Sequence, residues 1–162
     1  MSFETFRVEL RGSSASFAQV DSLIRLLPHT AAEVEPTASS DSSYYTVNDG
    51  NHTIEVEVAS LPVRISCRFT LSHPPSVDAA LLSLVRELMV RLGMEAFVCD
   101  DVSTQDSKGF SIHQFAEFAE VVSRTIAARR SEWIANFGSE YYSVTTPELY
   151  EKVILPRCVP VA

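Results

Sequence analysis

Apolar and polar side chains alternate most clearly over residues 63–71, where Val63, Ile65, Cys67, Phe69 and Leu71 interleave with Arg64, Ser66, Arg68 and Thr70. Successive strand side chains point to opposite faces, so this stretch predicts a strand with one buried face and one charged face. After His73-Pro74-Pro75 the period changes. Leu81, Leu84, Val85, Leu88 and Leu92 recur at helical spacing, with Ser76 placed to cap the start and Gly93 placed to end the helix in the left-handed conformation. Residues 94–99 return as a short strand.

The same reasoning extends in both directions. Phe6, Val8 and Leu10 alternate with Arg7 and Glu9 in a first strand ending at Gly12. Ser16 and Gln19 form a capping box for a helix carrying Phe17, Val20, Ile24 and Leu27 on one stripe, closed by Pro28. Residues 29–43 carry little that could be buried and read as a surface loop. Two strands, 44–47 and 53–58, flank Asn48-Asp49-Gly50-Asn51, whose residues tolerate positive φ and so predict a hairpin. Leu61-Pro62 turns the chain into the 63–71 strand, bringing Glu55 and Glu57 to face Arg64 and Arg68. A polar connection over 101–109 leads to a second capping box, Ser111 with Gln114. The longest helix follows, with Phe115, Phe118, Val122, Ile126, Trp133 and Phe137 on one broad face and Gly138 at its end. Residues 141–144 read as a short extended piece, and Thr146-Pro147 opens a last helix ended by Pro156.

The resulting order, β-α-β-β-β-α-β and then helices, predicts an α+β fold with an antiparallel sheet and helices on one face. It contains the split βαβ pattern of ferredoxin-like folds with an added hairpin strand. Residues 1–102 are expected to form the core and 103–162 a helical extension packed on it, one domain overall. In that arrangement the first strand runs parallel to 63–71 and antiparallel to 94–99. His73 and Asp100 then leave opposite ends of the sheet, about 17–20 Å apart, too far to act as a catalytic pair.

Composition narrows the function classes. The 162 residues are 46% hydrophobic with a formal net charge of -8. An acidic chain lacks the cationic footprint that nucleic acid or an anionic membrane requires, and a basic protein partner fits better. No apolar run is long enough to span a bilayer, and the first residues do not form a signal peptide. Cys67, Cys99 and Cys158 are an odd number without metal-type spacing. Three free thiols and a reducing, cytoplasmic setting are expected.

Motifs for chemistry are sparse. His73 precedes a helix start, where a base could work beside backbone amides, but His-Pro-Pro also reads as a rigid turn with an exposed imidazole. Asp100 and Asp101, with Asp106 beyond, could gather a hard cation, yet they lack the glycine and the oxygen spacing of a calcium loop and read as turn formers. His29, His52 and His113 are scattered, so no zinc site is expected. The isolated glycines exclude a phosphate-binding loop and a dinucleotide fingerprint, and no cofactor is expected. Tyr44, Tyr45, Trp133, Tyr141 and Tyr142 are of the residue types that anchor protein interfaces. The expectation is therefore a protein-binding module, of the kind that inhibits or confers immunity against a basic enzyme. The long helix buries its stripe on its own sheet or on a second copy of the chain. The alternative is a small enzyme or ligand-binding protein using His73 or Asp100 and Asp101.

Overall fold

The computed structural model describes residues 5–12, 14–32, 42–71, 73, 75–99 and 108–137. Among them lie β1 (Thr5–Arg11), α1 (Phe17–Leu26), β2 (Thr30–Ala32), β3 (Ser42–Asn48), β4 (Thr53–Ser60), β5 (Val63–Thr70), α2 (Val77–Leu92), β6 (Glu95–Cys99) and α3 (Phe115–Phe137). The strands form one antiparallel sheet in the order β2-β3-β4-β5-β1-β6. The class is α+β, as the alternation of periods predicts. The expected elements beyond Gly138, including Tyr141, Tyr142 and the Thr146 helix, lie outside the described residues, as do Asp100, Asp101 and Asp106.

One expectation about direction is corrected. β1 and β5 are antiparallel, with Val8 opposite Cys67 and Leu10 opposite Ile65. The cause is β2, three residues inside the segment read as a loop, whose Thr30 lies opposite Val47 and Ala32 opposite Tyr45. Each antiparallel step reverses the chain, so one additional strand inverts the direction of β5. β5 and β6 then run the same way on either side of β1, a βαβ unit split by one antiparallel strand. Their C-terminal ends consequently lie at the same end of the sheet: Thr70 pairs with Thr5 and Cys99 with Arg7, near the start of β1. His73 and the chain beyond Cys99 do not leave from opposite ends.

The strand periods separate two faces. Phe6, Val8, Leu10, Ile54, Val56, Val58, Ile65, Cys67 and Phe69 enter one core together with Val20 and Ile24 of α1, Leu81, Val85 and Leu88 of α2, and Phe118, Val122 and Ile126 of α3. The other face carries charges. Arg68 bonds Glu55 directly opposite at 2.7 Å, as expected, but Arg64 lies opposite Ala59 and turns to Glu9 of β1 at 3.7 Å. Glu57 instead accepts the Tyr44 hydroxyl at 3.2 Å.

Termini of the helices follow local chemistry. At α1 the Gln19 amide donates to Ser16 Oγ at 3.2 Å and Ser16 N–H donates back to Gln19 Oε1 at 2.8 Å, closing the capping box. Ser111 N–H likewise donates to Gln114 Oε1 at 3.1 Å ahead of α3. α2 ends on Gly93 at φ 64, the left-handed cap that its position predicts. Its start departs from expectation, because Ser76 makes no side-chain capping bond. Arg130 of α3 holds Asp78 in the first turn of α2 by two bonds of 2.8 and 2.6 Å, which ties the last described helix to the core.

Cys67 and Cys99 are free and buried, and burial pushes the Cys67 thiol up to about 12. Cys158 lies outside the described residues, and the expectation of three free thiols is checked by a thiol reagent, which should count three groups in protein denatured without reductant. A count of one would reveal a disulfide. Among the described residues no helix is long and apolar enough to cross a membrane.

Candidate functional site

The hairpin turn between β3 and β4 and the start of α2 are far apart in sequence and adjacent in space. In the turn, Gly50 adopts φ 90 and its N–H donates to Asn48 Oδ1 at 2.9 Å. Asp49 Oδ1 accepts the N–H groups of Asn51 at 2.9 Å and His52 at 2.7 Å, so the carboxylate folds back over its own turn. Its second oxygen lies 2.9 Å from His52 Nδ1. His52 Nε2 reaches across to Ser76 Oγ at 2.7 Å, which explains why that hydroxyl is not spent on the helix amides. Burial pushes the Asp49 carboxyl up, but the bonds from the His52 ring and from the Asn51 and His52 amides outweigh it, and its pKa ends below the ordinary 3.8. Asp49 is thus a carboxylate at neutral pH and can only accept. The proton of the His52 ring belongs on Nδ1, leaving Nε2 to accept the Ser76 hydroxyl.

His73 secures this contact from beneath. It is 1% exposed, and its ring packs edge-on against Phe69 at 5.9 Å. Nδ1 lies 2.9 Å from the Thr70 carbonyl and 2.8 Å from Thr70 Oγ1, while Nε2 accepts the Thr53 N–H at 3.3 Å. Both ring nitrogens are engaged, so His73 is neither the exposed imidazole of a simple turn nor a base open to substrate. Burial lowers its pKa below 6.5, and the bonds with Thr70 and Thr53 only partly oppose that. Its job is geometric. By holding the amide next to His52, it fixes the hairpin turn against the segment that leads to Ser76.

Beside the His52 ring opens a groove of about 420 Å³ between α1, α2 and the β3–β4 hairpin. Leu23 of α1, Leu27 at its C-cap, Val47, Ile54 and Leu84 give it an apolar lining, and Asp49, His52, Glu87 and Arg91 stand among the polar groups around it. Ala80, Ser83, Leu84, Glu87 and Arg91 lie on one strip of α2, and counting back four residues from Ala80 reaches Ser76. The strip from Ala80 to Arg91 is about 16 Å long at the helical rise of about 1.5 Å per residue.

The aromatic positions are placed differently. Tyr45 and Trp133 are 1% and 7% exposed, Tyr45 within the sheet core, and its hydroxyl bonds Asp21 of α1. Tyr44 is half-buried on the charged face of the sheet. Among the described residues no three His, Cys, Asp or Glu side chains gather as metal ligands. Sequence reasoning missed the Asp49–His52–Ser76 constellation. Asp49 was legible as a turn residue and His52 only as one of the scattered histidines, and the approach of Ser76 is a tertiary contact spanning 24 positions that leaves no periodic signal. In comparisons with protein families, curated proteins and solved structures, the chain shows no match.

Proposed function

We propose that this chain binds a small amphipathic molecule, its alkyl or acyl chain in the groove between α1 and α2 and its polar end at the Asp49–His52 rim. The groove carries this reading: about 420 Å³ of concave, largely apolar space with its polar groups set around it. Ligand sites of small molecules have this character, with volumes of roughly 300–1,000 Å³. Leu26, 82% exposed, extends the apolar lip outward. A basic protein partner is supported by the net charge of -8 alone. Free Cys67 and Cys99 support a reducing, cytoplasmic setting.

Dansyl-undecanoate, an alkyl carboxylate with a fluorescent tail, tests the groove. The full chain should bind it with enhanced emission, and Leu84→Arg should weaken binding by about tenfold or more, the equivalent of about 1.4 kcal/mol. Val90→Arg, on the exposed side of the same helix, should bind as the parent does. Equal binding by parent and Leu84→Arg, both folded by circular dichroism, would exclude the groove.

A further inference from the structure

We propose that Ser76, His52 and Asp49 form a nucleophile, base and carboxylate that hydrolyse an ester or thioester whose acyl chain occupies the groove. The acyl-chain part rests on the binding reading above, whereas the relay rests on its own distances. His52 Nε2 stands 2.7 Å from Ser76 Oγ, and Nδ1 stands 2.9 Å from Asp49 Oδ2. A hydroxyl becomes a useful nucleophile when a base lies within hydrogen-bond reach and a third group orients that base; these three side chains meet both conditions. The exposure pattern suits the roles. Ser76 is exposed and can meet a substrate, while the His52 side chain is 13% exposed, sheltered between Ser76 and Asp49. Ser76 also stands at the N-terminal end of the 16-residue α2, where the aligned peptide dipoles favour the negative charge that develops on a carbonyl oxygen under attack.

The chemistry closes with water as the sole co-reactant. Ser76 Oγ attacks the carbonyl carbon and its proton moves to His52 Nε2, the imidazolium being balanced by Asp49. The tetrahedral oxyanion collapses, the bond to the leaving alcohol or thiol breaks, and the leaving group takes the proton from Nε2. Water then attacks acyl-Ser76, giving its proton to Nε2, and collapse releases the acid as Ser76 Oγ recovers that proton. His52 and Asp49 belong to both the relay and the rim of the groove, so a chain lying along the α2 strip would bring its carbonyl end toward Ser76.

The test uses the full chain, a decyl fluorophosphonate and the p-nitrophenyl esters of acetate and octanoate. Fluoride should be displaced and one phosphonyl group should be found by mass spectrometry on the peptide bearing Ser76. Ser76→Ala should lose that label, and His52→Gln should slow both labelling and ester hydrolysis by about 100-fold or more. Circular dichroism of each variant separates chemistry from unfolding. A folded parent that leaves Ser76 unlabelled, or a His52→Gln variant that labels at the parent rate, overturns the relay. Leu84→Arg should lower the ratio of octanoate to acetate hydrolysis, and Val90→Arg should leave that ratio at the parent value. Ser76 labelling with an unchanged octanoate preference in Leu84→Arg would remove the groove and keep the relay. Binding of dansyl-undecanoate without Ser76 labelling would do the reverse.

Discussion

Ending the chain after Ser107 is expected to abolish cooperative folding. Phe118, Val122 and Ile126 are each 0% exposed and share one core with α2 and the sheet. At about 1.5–3 kcal/mol for each large apolar side chain, their loss removes roughly 5–9 kcal/mol from a domain whose whole stability is about 5–15 kcal/mol. The truncation also strips the Arg130 guanidinium from Asp78. Urea unfolding followed by circular dichroism should show no transition in the fragment. Val122→Asp, which leaves every other residue in place and buries an unpartnered carboxylate, should do nearly as much damage. A fragment that stays soluble and monomeric and melts cooperatively would make α3 dispensable.

Acidification is expected to destabilise the protein through His73 as pH falls through 6.5. Burial places the pKa of this imidazole in the folded state below the ordinary 6.5. The unfolded chain therefore takes up its proton at a higher pH than the folded chain does, so stability falls as pH drops through 6.5 toward the folded value and levels off above 6.5. The slope is at most about 1.4 kcal/mol per pH unit for one proton. Asp49, with its lowered pKa, acts in a separate range: its contribution is present above the ordinary 3.8 and lost as pH falls through its folded value. Urea midpoints measured from pH 5 to 7 should fall with acid in the parent and flatten in His73→Gln. His73→Ala should lower stability by about 2–4 kcal/mol at pH 7, because the Thr53 N–H loses its buried acceptor and a cavity opens against Phe69. Parallel pH curves for parent and His73→Gln would show that another group governs the acid limb.

Periodicity made much of this fold readable. The two-residue alternation over Val63–Thr70, the capping box at Ser16 and the left-handed Gly93 are local signals, and each appears in the structure where the sequence puts it. β2 was not readable because Thr-Ala-Ala has no apolar alternation; it is a strand through its ladder with β3. That omission then propagated, reversing the direction assigned to β5 and the end of the sheet assigned to His73. The candidate site was hidden for a related reason. His73 looks exposed when only its proline neighbours are considered, and its burial depends on Phe69, Thr70 and Thr53 closing around it. Ser76 looks like a cap until the distant His52 takes its hydroxyl.

The shortness of β2 has a consequence for how copies of this protein behave at high concentration. A sheet grows by adding strands to an edge that offers a long row of unpaired amides and carbonyls. On one side of this sheet the outermost strand among the described residues, β2, is three residues long. On the other, the edge of β6 is occupied at Ala96, which exchanges two bonds of 2.9 Å with Phe110, and charged Glu95 and Lys108 flank that bridge. A foreign strand docking beside Thr30–Ala32, or beside β6 at Ala96, would find few partners for its backbone, so at these described positions the sheet resists the edge-to-edge stacking that seeds fibrils.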